Sequence, residues 1–383
     1  MIRRSKSWSF WQALIFALSW ETALAQELLW QDAVAQGNGY YKEGAYAKAE
    51  QLYLAAIAQI EKLGADDLQF GQTLNDLATI YLDRGRYDEA EKLYRRSLII
   101  RENKLGPAHL EVAVSLNYLG MLSALRGRLP EAEALYRRAL FIRKKALSPW
   151  HREVANSLNN LGQVHRLQGQ LREAESTYRE AMVIFEKALG AEHPDTATGL
   201  NNLASVYQDL GQHSRAEKLY RRALAIREKR LGADHAATAT ITNNLATLHY
   251  DRAEFAEAEP LYSRTLAVWE KTLGPDHPDV AKTLYNLAQL YLRQRRYTQA
   301  EPLYQQAMAI QEKSLTSDHP DLAATLNGYA QLLRETKRKS QAEAMTSRAK
   351  SIAAKSWTKK AAPTQTVDVR DLNPEAKVSR RSF

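Results

Sequence analysis

The sequence predicts an all-α solenoid of about eight stacked helix pairs, and three recurrences along the chain predict it. Tyr94, Tyr136, Tyr178, Tyr220, Tyr262 and Tyr304 return every 42 residues. An alanine stands four residues before each of them, at Ala90, Ala132, Ala174, Ala216, Ala258 and Ala300. His109, His151, His193, His235, His277 and His319 keep the same interval. Tyr53 extends the tyrosine series backwards, one residue short of the period.

The first residues read as a secretory leader. Arg3, Arg4 and Lys6 make a basic start, Trp8 to Trp20 is mostly apolar, and Ala23-Leu24-Ala25 offers the small-x-small pattern of a cleavage site. A signal peptide is therefore expected over residues 1–25, with cleavage after Ala25, Gln26 as the new terminus, and a periplasmic or extracellular product. The apolar run is shorter than the roughly 20 residues a spanning helix needs, so a membrane is expected only through this leader if it stays uncleaved. Cysteine is absent, which excludes disulfides, thiolate nucleophiles and cysteine-ligated metals.

Each repeat reads as two helices. Around Thr240-Ile241-Thr242-Asn243-Asn244-Leu245-Ala246-Thr247-Leu248, the apolar residues Ile241, Leu245 and Leu248 keep helical spacing. A turn follows, marked in other units by Gly85, Gly127, Gly169 and Gly211, where a left-handed residue ends a helix. The second helix carries Ala258, Leu261, Tyr262 and Leu266 on one stripe, and Pro260 and Pro302 are expected in its first turn. The small alanine lets the two helices close, and the tyrosine fills the space beside it. The units fall at residues 30–63, 71–104, 113–146, 155–188, 197–230, 239–272, 281–314 and 323–356.

Leu203-Ala204 followed by Tyr207, then Ala216 and Tyr220, resembles the tetratricopeptide repeat pattern of leucine–glycine/alanine, tyrosine, alanine and aromatic. The standard motif has about 34 residues; here the second helix runs on through Ile226-Arg227-Glu228-Lys229 to Leu231-Gly232. With the connector Gly274-Pro275-Asp276-His277-Pro278-Asp279, the chain is similar to the kinesin light chain variety of the repeat. The resemblance covers residues 26–356 and implies a right-handed superhelix, first helices lining a concave groove, and protein or peptide partners. The ends depart from the pattern as caps do: Gln36 replaces the packing leucine, and Lys337, Lys339 and Thr346 replace the turn glycine, its aromatic and the tyrosine. Residues 357–383 lack an apolar period and read as a disordered basic tail.

Chemistry is sparse. The formal charge of +9 is not gathered on one face, so no nucleic-acid partner is expected. The histidines lie one repeat apart and cannot share a metal; Glu/Asp-His-Pro-Asp reads instead as the start of the next helix. His165 and His249 take the repeat tyrosine's place, where packing is expected. Arg95/Arg96, Arg137/Arg138 and Arg221/Arg222 follow Glu91, Glu133 and Glu217 at helical spacing, so intrahelical pairing is expected. No metalloprotease, nucleophile-elbow, phosphate-loop or dinucleotide motif occurs, and an enzyme, a cofactor and a small-molecule substrate are not expected.

The asparagines stand apart. Asn75, Asn117, Asn159, Asn201, Asn243 and Asn327 recur at one position of the first helix, with Tyr285 in the gap, and Asn160, Asn202, Asn244 and Asn286 recur beside them. Asparagine is less favourable in a helix than alanine by roughly 0.6 kcal/mol, so a repeated column calls for an offsetting interaction. Two readings follow: amides facing a groove, where they suit an extended peptide backbone, or a ladder in which each asparagine bonds to the next repeat. The groove reading names Asn117, Asn159, Asn160, Asn201, Asn202, Asn243, Asn244 and Asn286 as candidate partner-binding residues. Gln163, Arg166, Gln208, Asp209, Tyr250 and Asp251 form a secondary set on the same face. The family's carboxylate clamp fits poorly, since only Lys282 matches it and Asn286 stands where arginine should. The expected function is a non-enzymatic, exported protein- or peptide-binding scaffold. A cytoplasmic kinesin-light-chain-like adaptor, if the leader is no signal, and a regulatory subunit docking on an enzyme remain as alternatives.

Overall fold

The structure, a computed structural model, describes residues 30–41, 43, 45–64, 67–314 and 319–356. The expected signal peptide and basic tail lie outside the described residues. Sixteen helices and no strand occur among the described residues. Helix α1 covers 30–41, and α2 (Tyr46–Leu63), α3 (Leu68–Asp83), α4 (Tyr87–Leu105), α5 (Leu110–Leu125) and α6 (Leu129–Ala146) follow. Next come α7 (Arg152–Leu167), α8 (Leu171–Leu189), α9 (Pro194–Asp209), α10 (His213–Leu231) and α11 (Ala236–Asp251). The last are α12 (Phe255–Leu273), α13 (Pro278–Arg293), α14 (Tyr297–Ser314), α15 (Pro320–Glu335) and α16 (Lys339–Ser356). Residues up to Leu122 make one compact unit and those from Ser123 a second. In the first, α3 pairs with α4 and packs on α2; in the second, hairpins α7/α8 to α15/α16 each pack on the next. The chain is an all-α repeat solenoid.

First helices start at residues 68, 110, 152, 194, 236, 278 and 320, three residues before the unit bounds read from the sequence. A capping side chain explains the difference: Asp67 accepts from the Phe70 N–H at 2.8 Å in α3, and the connector histidine caps each of the other six. The Nδ1 atom of His193 accepts the backbone N–H of Asp195 at 3.1 Å. His109, His151, His235, His277 and His319 accept from the residue two positions on in the same way. The proline that follows in α9, α13 and α15 occupies the first turn, where its missing N–H leaves nothing unsatisfied.

From α3/α4 onward each hairpin turn places one residue in the left-handed region, and a bond from the next N–H reaches back five residues, as from Gln212 to Tyr207 at 2.8 Å. Gly85 to Gly211 hold this position with φ near 71–76°. Where the repeat lacks the glycine, Ala253, Arg295 and Lys337 adopt the same conformation, with φ of 58°, 61° and 63°. The fold imposes the turn even where a side chain opposes it.

The alanine and tyrosine rows form the core of the hairpins except α15/α16, where Thr346 stands in the tyrosine's place. Ala90, Ala132, Ala174, Ala216, Ala258 and Ala300 are fully buried, and the tyrosines four residues on are at most 1% exposed. Most of the buried phenols find an oxygen fifteen residues earlier: Thr79 for Tyr94, Gln163 for Tyr178, Ser205 for Tyr220 and Thr247 for Tyr262. Burial pushes these phenols well above their ordinary pKa. Methionine stands fifteen residues before Tyr136, whose hydroxyl has no partner.

Two expectations need correction. Helices α12 and α14 begin at Phe255 and Tyr297, so Pro260 and Pro302 lie in the second turn. The carbonyls they leave without an N–H belong to Ala256 and Thr298, both exposed residues. On the outer face Glu91–Arg95, Glu133–Arg137 and Glu217–Arg221 pair within their helices, as expected. The second arginine instead reaches the preceding repeat, as in Arg96–Glu61 at 2.5 Å and Arg222–Glu186 at 2.8 Å. Such exposed pairs each contribute little.

The turn geometry predicts that Ala253→Gly raises stability by about 1 kcal/mol, since glycine enters the left-handed region without a Cβ clash. A urea titration should move the midpoint up with an unchanged slope; a fall would show that the alanine turn is unstrained. The histidine cap predicts a pH dependence. Loss of solvent lowers the pKa of His193, outweighing the pull of Asp195, so the folded state favours neutral imidazole, which alone leaves Nδ1 free to accept. Its contribution is complete above the unfolded value of about 6.5 and fades as pH falls through it toward the folded value. His193→Asn keeps a capping oxygen and should flatten that part of the stability–pH curve, whereas His193→Ala should lose on the order of 1 kcal/mol at pH 7.5. Thermal melts from pH 5 to 8 distinguish the two, and an unchanged acid slope in His193→Asn would exclude this histidine as the source.

Candidate functional site

First helices present their polar columns to one another at a separation of 43 residues. Asn202 donates its Nδ2–H to Oδ1 of Asn159 at 2.9 Å, and Asn244 donates to Asn201 at 3.0 Å. Asn201 donates to its neighbour Asn202 at 3.2 Å, joining the two rungs into one chain from α11 through α9 to α7. All four side chains are buried. Asn117 in α5 and Asn160 in α7 are buried too, at 1% exposure each.

A second row runs parallel with the same separation. Arg166 Nε meets Asp209 at 2.6 Å, Gln208 Nε2 donates to Asp251 at 2.6 Å, and Arg293 lies 5.6 Å from the centre of the Tyr250 ring. The secondary candidates are thus brought together as inter-repeat links. Gln163 is the exception: it turns into its own hairpin and accepts from Tyr178 at 3.0 Å. Asp251 is exposed, yet loss of surrounding solvent raises its carboxyl above the ordinary range, with the Gln208 bond opposing.

The two rows border an open cavity of about 360 Å³ lined by residues of α9, α11, α13, α14 and α15. Asn243, Asn244 and Asn286 line it together with Gln208, Asp209 and Asp251, so it gathers six of the candidate residues; Lys282, Tyr285 and Asp321 stand across from them. Lys282 pairs with Asp321 at 3.6 Å. Asn159, Asn160, Asn201, Asn202, Arg166 and Tyr250 lie outside its lining. The ladder ends here, since Asn286 makes no hydrogen bond with another described residue and is half-buried.

One row was missed in the sequence. Arg101, Arg143, Phe185, Arg227, Trp269 and Gln311 occupy one position of the second helices, and all are nearly inaccessible. The arginines reach across to the first helices: Arg101 donates to Ser115 at 2.8 Å and Gln72 at 2.7 Å, and Arg143 donates to Ser157 at 2.7 Å. Gln311 holds the same place at the cavity floor, 2% exposed, and its Oε1 has no donor. The 42-residue recurrence of the arginines was the available signal. Among the described residues no group of histidine, cysteine, aspartate or glutamate could hold a metal, and no helix is long and apolar enough to cross a membrane.

The hairpin repeat and its buried rows define a repeat scaffold, and the tetratricopeptide repeat family matches residues 69–145, 153–229, 195–267, 237–313 and 286–355. The chain belongs to that family. Among solved structures it is similar to BtubC (BKLC) from P. vanneervenii, at 24% identity over 64% of this chain and 96% of that one, with a TM-score of 0.48. A putative kinesin light chain from Podosopora anserina with nearly identical TPR-like repeats matches at 28% identity over 54% and 98%, with a TM-score of 0.45. The Rap conjugation gene regulator of plasmid pLS20, solved in complex with the Phr* peptide, matches at 19% identity over 73% of each chain, with a TM-score of 0.55. No curated protein shows significant similarity to the chain.

The ladder geometry predicts that Asn202→Ala with Asn244→Ala lowers the melting temperature. Each lost inter-repeat bond is worth about 0.5–1.5 kcal/mol, only partly offset by alanine's better helix propensity. Asn286→Ala should leave stability unchanged or slightly higher. Paired thermal melts test this, and equal behaviour of the two variants would show that the rungs contribute nothing.

Proposed function

We propose that the protein is an exported, non-enzymatic scaffold that holds an extended segment of another protein along the face of α9, α11, α13 and α15. The observation that carries this reading is the end of the asparagine ladder at the cavity. The amides of Asn159, Asn201 and Asn202 serve the stack, whereas the Asn286 amide stands open beside it. An open amide can donate to one carbonyl and accept from one N–H of an extended backbone, whatever its side chains. The family match indicates no enzymatic class. The same fold in the pLS20 Rap regulator has been seen with a bound peptide. The basic, apolar and small-residue order of residues 1–25 supports export.

Photocrosslinking in the native cell tests both halves. A photoreactive residue at position 286 should capture a partner, and one at the solvent-facing position 221 should not. Intact mass of the scaffold recovered from these cells should start at Gln26. Equal capture from both positions would remove the groove, and retention of Met1 in a membrane fraction would remove cleavage after Ala25.

A further inference from the structure

We propose that the cavity between α9, α11, α13, α14 and α15 receives an arginine side chain of the bound segment. This inference rests on the peptide-binding reading above and adds the chemistry of one anchor residue.

Residues with unused acceptor capacity line the cavity on three elements. Asp251 on α11 forms no ion pair among the described residues; its carboxylate accepts only from the neutral Gln208 amide at 2.6 Å. The nearby cations are committed elsewhere, Arg166 to Asp209 at 2.6 Å and Lys282 to Asp321 at 3.6 Å. Gln311 on α14 is 2% exposed, lines the cavity, and has no donor to its buried Oε1. A buried carbonyl without a donor is unfavourable; at the equivalent positions Arg101 and Arg143 instead donate to serine hydroxyls of the next first helix. Asn286 on α13 supplies a third acceptor beside the Tyr285 ring, whose hydroxyl already accepts from Gln289 at 3.0 Å.

Acceptors spread over three helices suit a guanidinium, which carries five N–H donors in a planar fork; an ammonium offers three from one point. The tyrosine supplies a face on which the plane can lie. Arg293 and His213 act on Asp251 from further off and oppose the incoming charge, so the hydrogen bonds as well as the charge must favour it. At about 360 Å³ the space is near the lower end of ligand pockets, roughly 300–1,000 Å³, which fits one side chain with its backbone outside.

The test uses the full chain on an array of random decapeptides. Bound peptides should be enriched in arginine several-fold over lysine and glutamine. For the best binder, replacing that arginine by glutamine, or making Asp251→Asn in the protein, should weaken affinity roughly tenfold or more. Gln311→Leu should weaken it less, and circular dichroism should show both variants folded. Binding without arginine enrichment, or enrichment unchanged in Asp251→Asn, overturns the inference and leaves the scaffold reading standing. Equal enrichment of lysine overturns the guanidinium assignment. An array with no binders at all rejects the scaffold reading itself.

Discussion

Packing of a buried alanine and a buried tyrosine in the second helix of all hairpins but the last is the interaction on which the rest depends. At Ala216 and its equivalents no exposed surface remains, so the backbones of the two helices lie as close as a methyl group permits. The tyrosine one turn on then fills the adjoining space and removes a large apolar surface from water, worth about 2 kcal/mol or more for each ring. Its hydroxyl must be satisfied in that environment, and an oxygen fifteen residues earlier in the first helix does so in most units. One residue pair thereby sets the spacing of a hairpin and one side-chain bond sets its register.

Because the hairpins are alike, polar side chains on one first helix can recur beside a partner 43 residues away on the next. That identity turns polar residues into rows. The asparagine chain from Asn244 to Asn159 and the links Arg166–Asp209 and Gln208–Asp251 follow from it. On the outer face the same repetition brings Arg222 to Glu186 and Arg264 to Glu228. The inner links are the more consequential, since buried amides are desolvated and would be unfavourable without one another, whereas the outer ion pairs remain in water.

The cavity lies where repetition lapses. Asn286 continues the column, but the side chains around it change: Tyr285 replaces the asparagine beside it and Gln311 replaces the arginine on the second helix. A smaller neutral side chain where others have arginine leaves space, and the space has acceptors on its walls. A repeat array tolerates such a site because each hairpin is stabilised by its own core and by its neighbours.

The number of hairpins, their pairing and the alanine–tyrosine core were legible in the sequence, because burial of an apolar stripe repeats wherever the stripe repeats. The left-handed turns were legible at Gly85 to Gly211, and the imposed turns at Ala253, Arg295 and Lys337 follow from the same register. What the side chains at polar positions do was not legible. Periodicity shows that Asn202 and Asn286 occupy equivalent places, yet one is bonded to Asn159 and the other faces a cavity. The histidine's capping bond, the inter-repeat reach of Arg96 and Arg222, and the inward turn of Gln163 were likewise settled only in three dimensions. The reason is physical: burial of apolar surface is non-directional and follows from position along a helix. A hydrogen bond depends on which donor lies within about 3 Å in a suitable direction, and for the inter-repeat bonds that neighbour lies some forty residues away along the chain, placed only by tertiary packing.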